Sequence, residues 1–159
     1  MTTVLKIVGL APELVEPLFS LFEEVHFSGA DEQFHPHPFT AAHANELCRY
    51  RGSDEYYVMM DDEPRVLAYG MLRGWDEGYE IPSLGIYVSA KARKLGLGKL
   101  MMLHLHAAAH LRAAPKIRLK VYKDNHAARH LYEKLGYVFQ DASESELIGY
   151  FDLSPKRST

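Results

Sequence analysis

Hydrophobic residues recur along this chain with two different periods, and the switches between them mark the elements. Val4 to Leu10 alternates and is β-branched enough to predict a strand. Pro12 then opens a helical pattern to about Phe27, with Leu14, Leu18, Leu21, Phe22 and Val25 on one face at three- and four-residue steps. Glu13 and Glu16 fall in its first turn, where the helix dipole favours anions. Ser28 to Pro38, with His35-Pro36-His37-Pro38, reads as a loop. Thr40 can cap a short helix through about Tyr50.

Tyr56 to Met60 and Val66 to Leu72 read as strands joined by the turn Asp61-Asp62-Glu63-Pro64. That pairing predicts an antiparallel hairpin. After the loop Gly74 to Gly78, a long strand is expected over Tyr79 to Ser89. Pro82 and Gly85 interrupt it, which predicts unpaired backbone near its middle. A glycine-containing turn at Lys94 to Gly98 leads into a helix running to about Arg112, with Ile117 to Tyr122 as the next strand. Asp124 or Asn125 can cap a helix that Gly136 ends. Tyr137 to Phe139 and Leu147 to Leu153 close the pattern, and residues 154–159 read as a flexible tail. The order predicts one α/β (or α+β) domain over residues 1–159 with a mixed sheet.

Composition narrows the class. Hydrophobic residues make up 47% and charged residues 25% of 159, which excludes extended disorder and fibrous repeats. The single cysteine, Cys48, excludes an internal disulfide and suits a reducing compartment. No apolar run approaches a membrane span, and the first residues lack a secretory-signal pattern, so the cytoplasm is expected. The net charge of −3 hides an asymmetry. Residues 11–80 hold 4 basic and 15 acidic groups, whereas residues 91–134 hold 11 basic and 2 acidic ones. The first territory suits a cation and the second a polyanion. No recognised nucleic-acid motif accompanies the basic stretch, so no nucleic-acid or membrane partner is expected.

The polyanion site is visible locally. Arg93-Lys94-Leu95-Gly96-Leu97-Gly98 lies between a strand and a helix. Its glycines let backbone N–H groups turn inward, and with Lys91 and Lys99 nearby they suit a pyrophosphate. The spacing is neither a Walker loop nor a dinucleotide-binding fingerprint.

Ile81 to Gly98 resembles the acetyl-CoA-binding segment of the GNAT N-acetyltransferase superfamily, whose [Q/R]-x-x-G-x-[G/A] pattern Arg93, Gly96 and Gly98 satisfy. A second segment, Lys120 to Phe139, is similar to the family's strand, helix and strand with the run Leu131-Tyr132-Glu133-Lys134-Leu135-Gly136-Tyr137. Ala90 and Ala92 stand where many relatives carry a proline and an aromatic residue.

The resemblance implies a three-layer domain, with a mostly antiparallel mixed sheet flanked by helices. It implies direct acetyl transfer from acetyl-CoA, as co-substrate, to a primary amine of a small molecule, peptide or protein. The alternative is a non-catalytic acyl-CoA-binding or sensory module on the same fold. By the same resemblance, backbone groups of Ile86 and Val88 hold the pantetheine arm. Amides of Arg93, Lys94, Leu95, Gly96, Leu97, Gly98 and Lys99 surround the pyrophosphate. Asn125 lies beside the pantetheine, and Tyr132 approaches the sulfur.

The chemistry requires a neutral amine and a protonated leaving thiolate. An amine with a pKa near about 10.4 must lose a proton, and a tyrosine near about 10 can donate to a thiolate near about 8.5. By the resemblance Tyr132 is the expected acid, and Glu80, near where relatives place a base or water-holding carboxylate, is the expected base, with Asp76 and Glu77 as competitors. His35, His37, Trp75 and Tyr79 are the expected acceptor contacts, with Phe34 and Phe39 nearby. Two histidines without a third ligand make no metal site, and none is expected. His104, His106 and His110 read as packing and surface, and Cys48 as a small buried hydrophobe. Self-association as a homodimer stays open.

Overall fold

The structure is a computed structural model that describes residues 4–154; most of the expected tail, residues 155–159, lies outside the described residues. The chain runs β1 (Lys6–Gly9), α1 (Val15–Phe27), α2 (Ala41–Cys48), β2 (Glu55–Met60), β3 (Val66–Arg73) and β4 (Ser83–Val88). It continues with α3 (Leu97–Leu111), β5 (Lys116–Tyr122), α4 (His126–Leu135), β6 (Val138–Asp141) and β7 (Glu146–Asp152). Seven strands form one sheet in the order β1-β2-β3-β4-β5-β7-β6. All neighbours are antiparallel except β4 and β5.

Local chemistry sets the helix ends. A single 3-10 turn at Pro12–Leu14 leads into α1, because proline's fixed φ suits a helix start. The Thr40 hydroxyl accepts the His43 N–H at 3.1 Å and caps α2. Asn125 Oδ1 accepts the Ala128 N–H at 3.3 Å and caps α4. Gly136, at φ +107°, ends α4 in the left-handed conformation, and the Tyr137 N–H returns to the Tyr132 carbonyl.

Alternation along the strands fills two cores. Val58, Met60, Tyr69, Met71 and Tyr87 face α1 and α2, where they meet Leu18, Leu21, Phe22 and Val25. Met59, Ala68, Leu72 and Leu84 face the other way, onto Met101, Met102 and Leu105 of α3. Ile117, Leu119 and Val121 of β5 join that second core, with Tyr132 and Tyr137. β3 is therefore buried on both faces. The alternate β5 residues Lys116, Arg118, Lys120 and Tyr122 face the layer of α1 and α2 and remain partly or fully exposed.

One strand departs from expectation. β4 begins at Ser83, not near Tyr79. Pro82 supplies no N–H for a ladder, and the Asp54 carboxylate holds the preceding turn through the N–H groups of Gly74, Trp75 and Asp76 at 2.9, 2.9 and 3.3 Å. Glu80 thus sits in a bend before the strand. β4 pairs with β3 from Ser83 to Val88 without a register shift, so Gly85 makes no bulge. A methyl group there would lie 3.3 Å from Met71 and 3.4 Å from Phe34, so glycine serves close packing.

Candidate active site

The parallel neighbours β4 and β5 touch at one register pair, Ser83 and Arg118. The Arg118 N–H donates to the Pro82 carbonyl at 3.0 Å, and beyond that point the strands diverge. A cavity of about 980 Å³ fills the opening. Its walls come from both faces of the sheet: Phe34 and His35 on one side, Asn125, Ala128 and Tyr132 of α4 on the other.

The splay frees one edge of β4. Antiparallel partners alternate in where their backbone groups point. The Ser89 N–H donates to Leu67 of β3, so Tyr87 and Gly85 also turn to β3. Pro82 faces β5, so Leu84, Ile86 and Val88 turn the same way, toward the cleft. β5 has moved off, which leaves the Ile86 N–H and carbonyl and the Val88 N–H without a ladder partner. The Val88 carbonyl accepts from Arg93 Nε at 3.3 Å. Free backbone is thus present where the sequence places it, but strand divergence produces it, not Pro82 or Gly85.

At the far end of β4 the chain makes a 3-10 turn, Ala90–Ala92, and then enters α3 through left-handed Lys94 (φ +65°) and Gly96 (φ +79°). Among the described residues no side chain caps α3, so the first-turn N–H groups of Leu97, Gly98 and Lys99 are open donors. An added methyl on Gly98 would lie 3.5 Å from Leu131 and 3.6 Å from Val88, in the gap between β4 and α4. Leu95 is exposed, and Arg93 to Lys99 lie outside the cavity wall, beyond the Val88 end of the free edge. Open donors, a glycine-kept gap and basic side chains all fit a pyrophosphate there.

Glu24 of α1 is a residue the sequence reading missed. Its carboxylate accepts from Tyr87 Oη (2.6 Å), Ser89 Oγ (2.6 Å) and the Ala90 N–H (3.2 Å), pinning the turn that precedes α3. These hydrogen bonds and nearby Arg93 outweigh burial and hold its carboxyl below the usual range. A glutamate on the polar edge of a helix carries no sequence signal for that contact.

Tyr132 is only 8% exposed, yet it lines the cavity. Burial pushes its hydroxyl up to about 12. Among the described residues no hydrogen bond engages that hydroxyl. Asn125 also lines the cavity, with Oδ1 committed to the helix cap.

The expected acceptor contacts divide. His35, Tyr79 and Glu80 line the cavity, and Tyr79 and Glu80 are exposed. His37 does not. Its ring packs among Phe22, Phe39 and Tyr69, with Nε2 2.9 Å from Tyr69 Oη and Nδ1 2.8 Å from the Pro38 carbonyl. Burial lowers its pKa to about 4. Trp75 is likewise turned away, with the Arg112 guanidinium 3.7 Å above its ring. Asp76 is occupied by the Tyr50 hydroxyl and the Ser53 N–H. His106 hydrogen-bonds Tyr137 at 2.7 Å and stacks on Phe151. Two further residues of the wall, Arg73 and Arg118, had no signal beyond their charge.

Among the described residues no helix is long and apolar enough to cross a membrane, and no group of three or more His, Cys, Asp or Glu side chains could hold a metal ion. The profile of the acetyltransferase (GNAT) family matches residues 15–137. No curated protein sequence matches the chain. Among solved structures, a GNAT-family acetyltransferase from Streptococcus pneumoniae superposes with a TM-score of 0.78 at 15% identity, over 95% of this chain and 100% of that one. The PaiA N-acetyltransferase of Thermoplasma acidophilum, in complex with coenzyme A, gives 0.75 at 17% identity, over 94% and 99%. The ribosomal-protein-S18-alanine N-acetyltransferase of Escherichia coli gives 0.71 at 16%, over 97% of each chain. These likenesses show the same three-layer fold, and the family match over most of the chain places it: the protein belongs to the GNAT family of acetyltransferases.

Proposed function

We propose that this chain is an acetyl-CoA-dependent N-acetyltransferase that moves the acetyl group directly to a primary amine. The observation that carries the reading is the free β4 edge at Ile86 and Val88, whose Ile86 lines the same cavity as Tyr132. A neighbour with this fold, the Thermoplasma enzyme, is a coenzyme A complex.

Each residue then has a task. The Ile86 backbone holds the amide-rich arm as a third strand partner would. The Val88 N–H polarises the thioester carbonyl and stabilises the charge that grows on its oxygen. The first turn of α3 and the segment from Arg93 hold the phosphates through N–H groups and the helix dipole. Asn125 keeps its Nδ2 free to face the arm. The Glu80 carboxylate takes a proton from the acceptor ammonium, directly or through water, so that a neutral amine attacks. Overall a C–N bond forms, the C–S bond breaks, and one amine proton ends on sulfur.

Tyr132 serves the leaving sulfur. With its pKa near 12, the hydroxyl stays protonated through the neutral range. Full transfer to a thiolate near about 8.5 is uphill by roughly 5 kcal/mol. Its contribution is therefore a hydrogen bond that strengthens as charge builds on sulfur, with the surplus amine proton completing the thiol. The single Cys48 is buried, its thiol pushed up by burial, so no acyl-enzyme forms on it. The lone buried thiol suits work in a reducing cytoplasm.

The test is coenzyme A release from acetyl-CoA with a panel of amines. Release that depends on at least one amine is expected. Tight coenzyme A binding with no release from any amine would make the chain a binding module instead.

A further inference from the structure

The acceptor side of the cavity carries more positive charge than the acidic first half of the sequence suggests. Arg73, Ser83 and Arg118 form one register row across β3, β4 and β5, and Tyr150 of β7 continues it. Paired residues share a face, so these four side chains stand on the face of α1 and α2, and all four line the cavity. Two strand spacings put the arginine Cα atoms about 10 Å apart, within the reach of two long side chains toward a common point.

Neither guanidinium is neutralised. Among the described residues neither has a carboxylate ion-pair partner. Arg73 donates through Nη1 to the Pro36 carbonyl and also engages the Tyr56 hydroxyl, which anchors it beside the 35–37 loop with donors to spare. Among the described residues the buried Arg118 Nε finds no hydrogen-bond partner. A buried charged donor without a partner is costly unless something else supplies the acceptor. The carboxylates of the wall, Glu77, Glu80 and Glu146, sit on the loop before β4 and at the start of β7, not in the arginine row.

Resting on the acetyltransferase reading above, we infer that the acceptor is a small amine that also bears an oxyanion, a carboxylate or phosphate, and that Arg118 with Arg73 binds that group. Guanidinium forks match both oxyanions through paired N–H donors. Glu80 lies in the same cavity wall, so one small molecule can present its ammonium to the carboxylate while its oxyanion sits on the arginines. The α-amino acids and the aminoalkyl phosphates meet both demands. A polyamine meets only one.

The experiment compares three libraries as acceptors: the encoded amino acids, their carboxamides, and aminoalkyl phosphates. The wild-type protein is expected to favour an oxyanion-bearing library over the carboxamides by about tenfold to a hundredfold in kcat/KM. Arg118→Met is expected to collapse that ratio, Arg118→Lys to recover it in part, and Arg73→Gln to reduce it less. A wild-type preference for carboxamides, or a ratio that survives Arg118→Met in a variant of unchanged thermal midpoint, overturns the inference. If no amine in any library releases coenzyme A, the transferase reading fails and the anion site is read separately. Ligand-detected NMR with the N-acetylated libraries then decides. Binding of the oxyanion members alone, lost in Arg118→Met, upholds the site. Equal binding of carboxamides, or no binding by any library, removes it.

Discussion

The two sides of the β4–β5 splay are built from different materials. On the proposed reading the donor side is mostly backbone: the free groups of Ile86 and Val88, and the uncapped first turn of α3. The proposed acceptor side is side chains that line the cavity: Arg73, Arg118, Tyr79, Glu80 and His35. A backbone site depends on chain conformation and tolerates most changes of side chain. A side-chain site changes its ligand with each substitution while the fold stays intact. Such a contrast would let one architecture keep its donor while its acceptor changes.

Substitutions can pull the two sides apart. The largest effect is expected from Tyr132→Phe, which removes the proposed hydrogen bond to sulfur. Turnover should fall about a hundredfold, while the KM for acetyl-CoA moves by less than about threefold. Steady-state kinetics check this, and an unchanged kcat would remove Tyr132 from the chemistry. Glu80→Gln should lower kcat/KM for the acceptor about tenfold and move the acid limb of its pH profile. An unchanged profile would send the base role to His35, Glu77 or water.

Gly96→Ala attacks the donor side alone. A side chain at φ +79° costs roughly 1–2 kcal/mol, so a shifted turn should raise the KM for acetyl-CoA about tenfold with the acceptor KM unchanged. Glu24→Gln loosens the same segment from α1, and the same KM should rise about threefold. Equal effects on both substrates in either variant would mean that the sides are not separable.

A separate effect concerns stability and leaves the two sides alone. His37 and His106 are held neutral by burial, each with a pKa near 4 against about 6.5 when unfolded. The unfolded chain therefore binds more protons between those values, so stability falls as pH drops from about 6.5 toward 4. Urea midpoints at pH 7 and pH 5 should show this loss, and His106→Phe should reduce it. Equal midpoints at the two pH values would contradict the burial argument.

Much of this architecture is legible in the sequence, for local reasons. The periodicities of α1 and β5, the Thr40 and Asn125 caps and the Gly136 stop all act within a few residues. The splay is not legible, because it depends on where β5 sits beside β4. Pro82 and Gly85 pointed to free backbone through a mechanism the strand does not use. His37 and Trp75 failed for a related reason. An aromatic in a loop can face a cavity or a core, and Tyr69 and Arg112 decided those two. Arg118 reads as an ordinary exposed strand cation until Ser83 and Arg73 are seen in its row.

We propose that the β4 edge facing the cleft receives the acyl donor. Backbone amide NMR during an acetyl-CoA titration tests it most directly. Large shifts are expected at Ile86 and Val88 and in the Lys94 to Lys99 segment, with much smaller ones at Gly85 and Tyr87, whose N–H groups are bonded to β3. Shifts that skip Ile86 and Val88, or fall equally on all four strand residues, would contradict it.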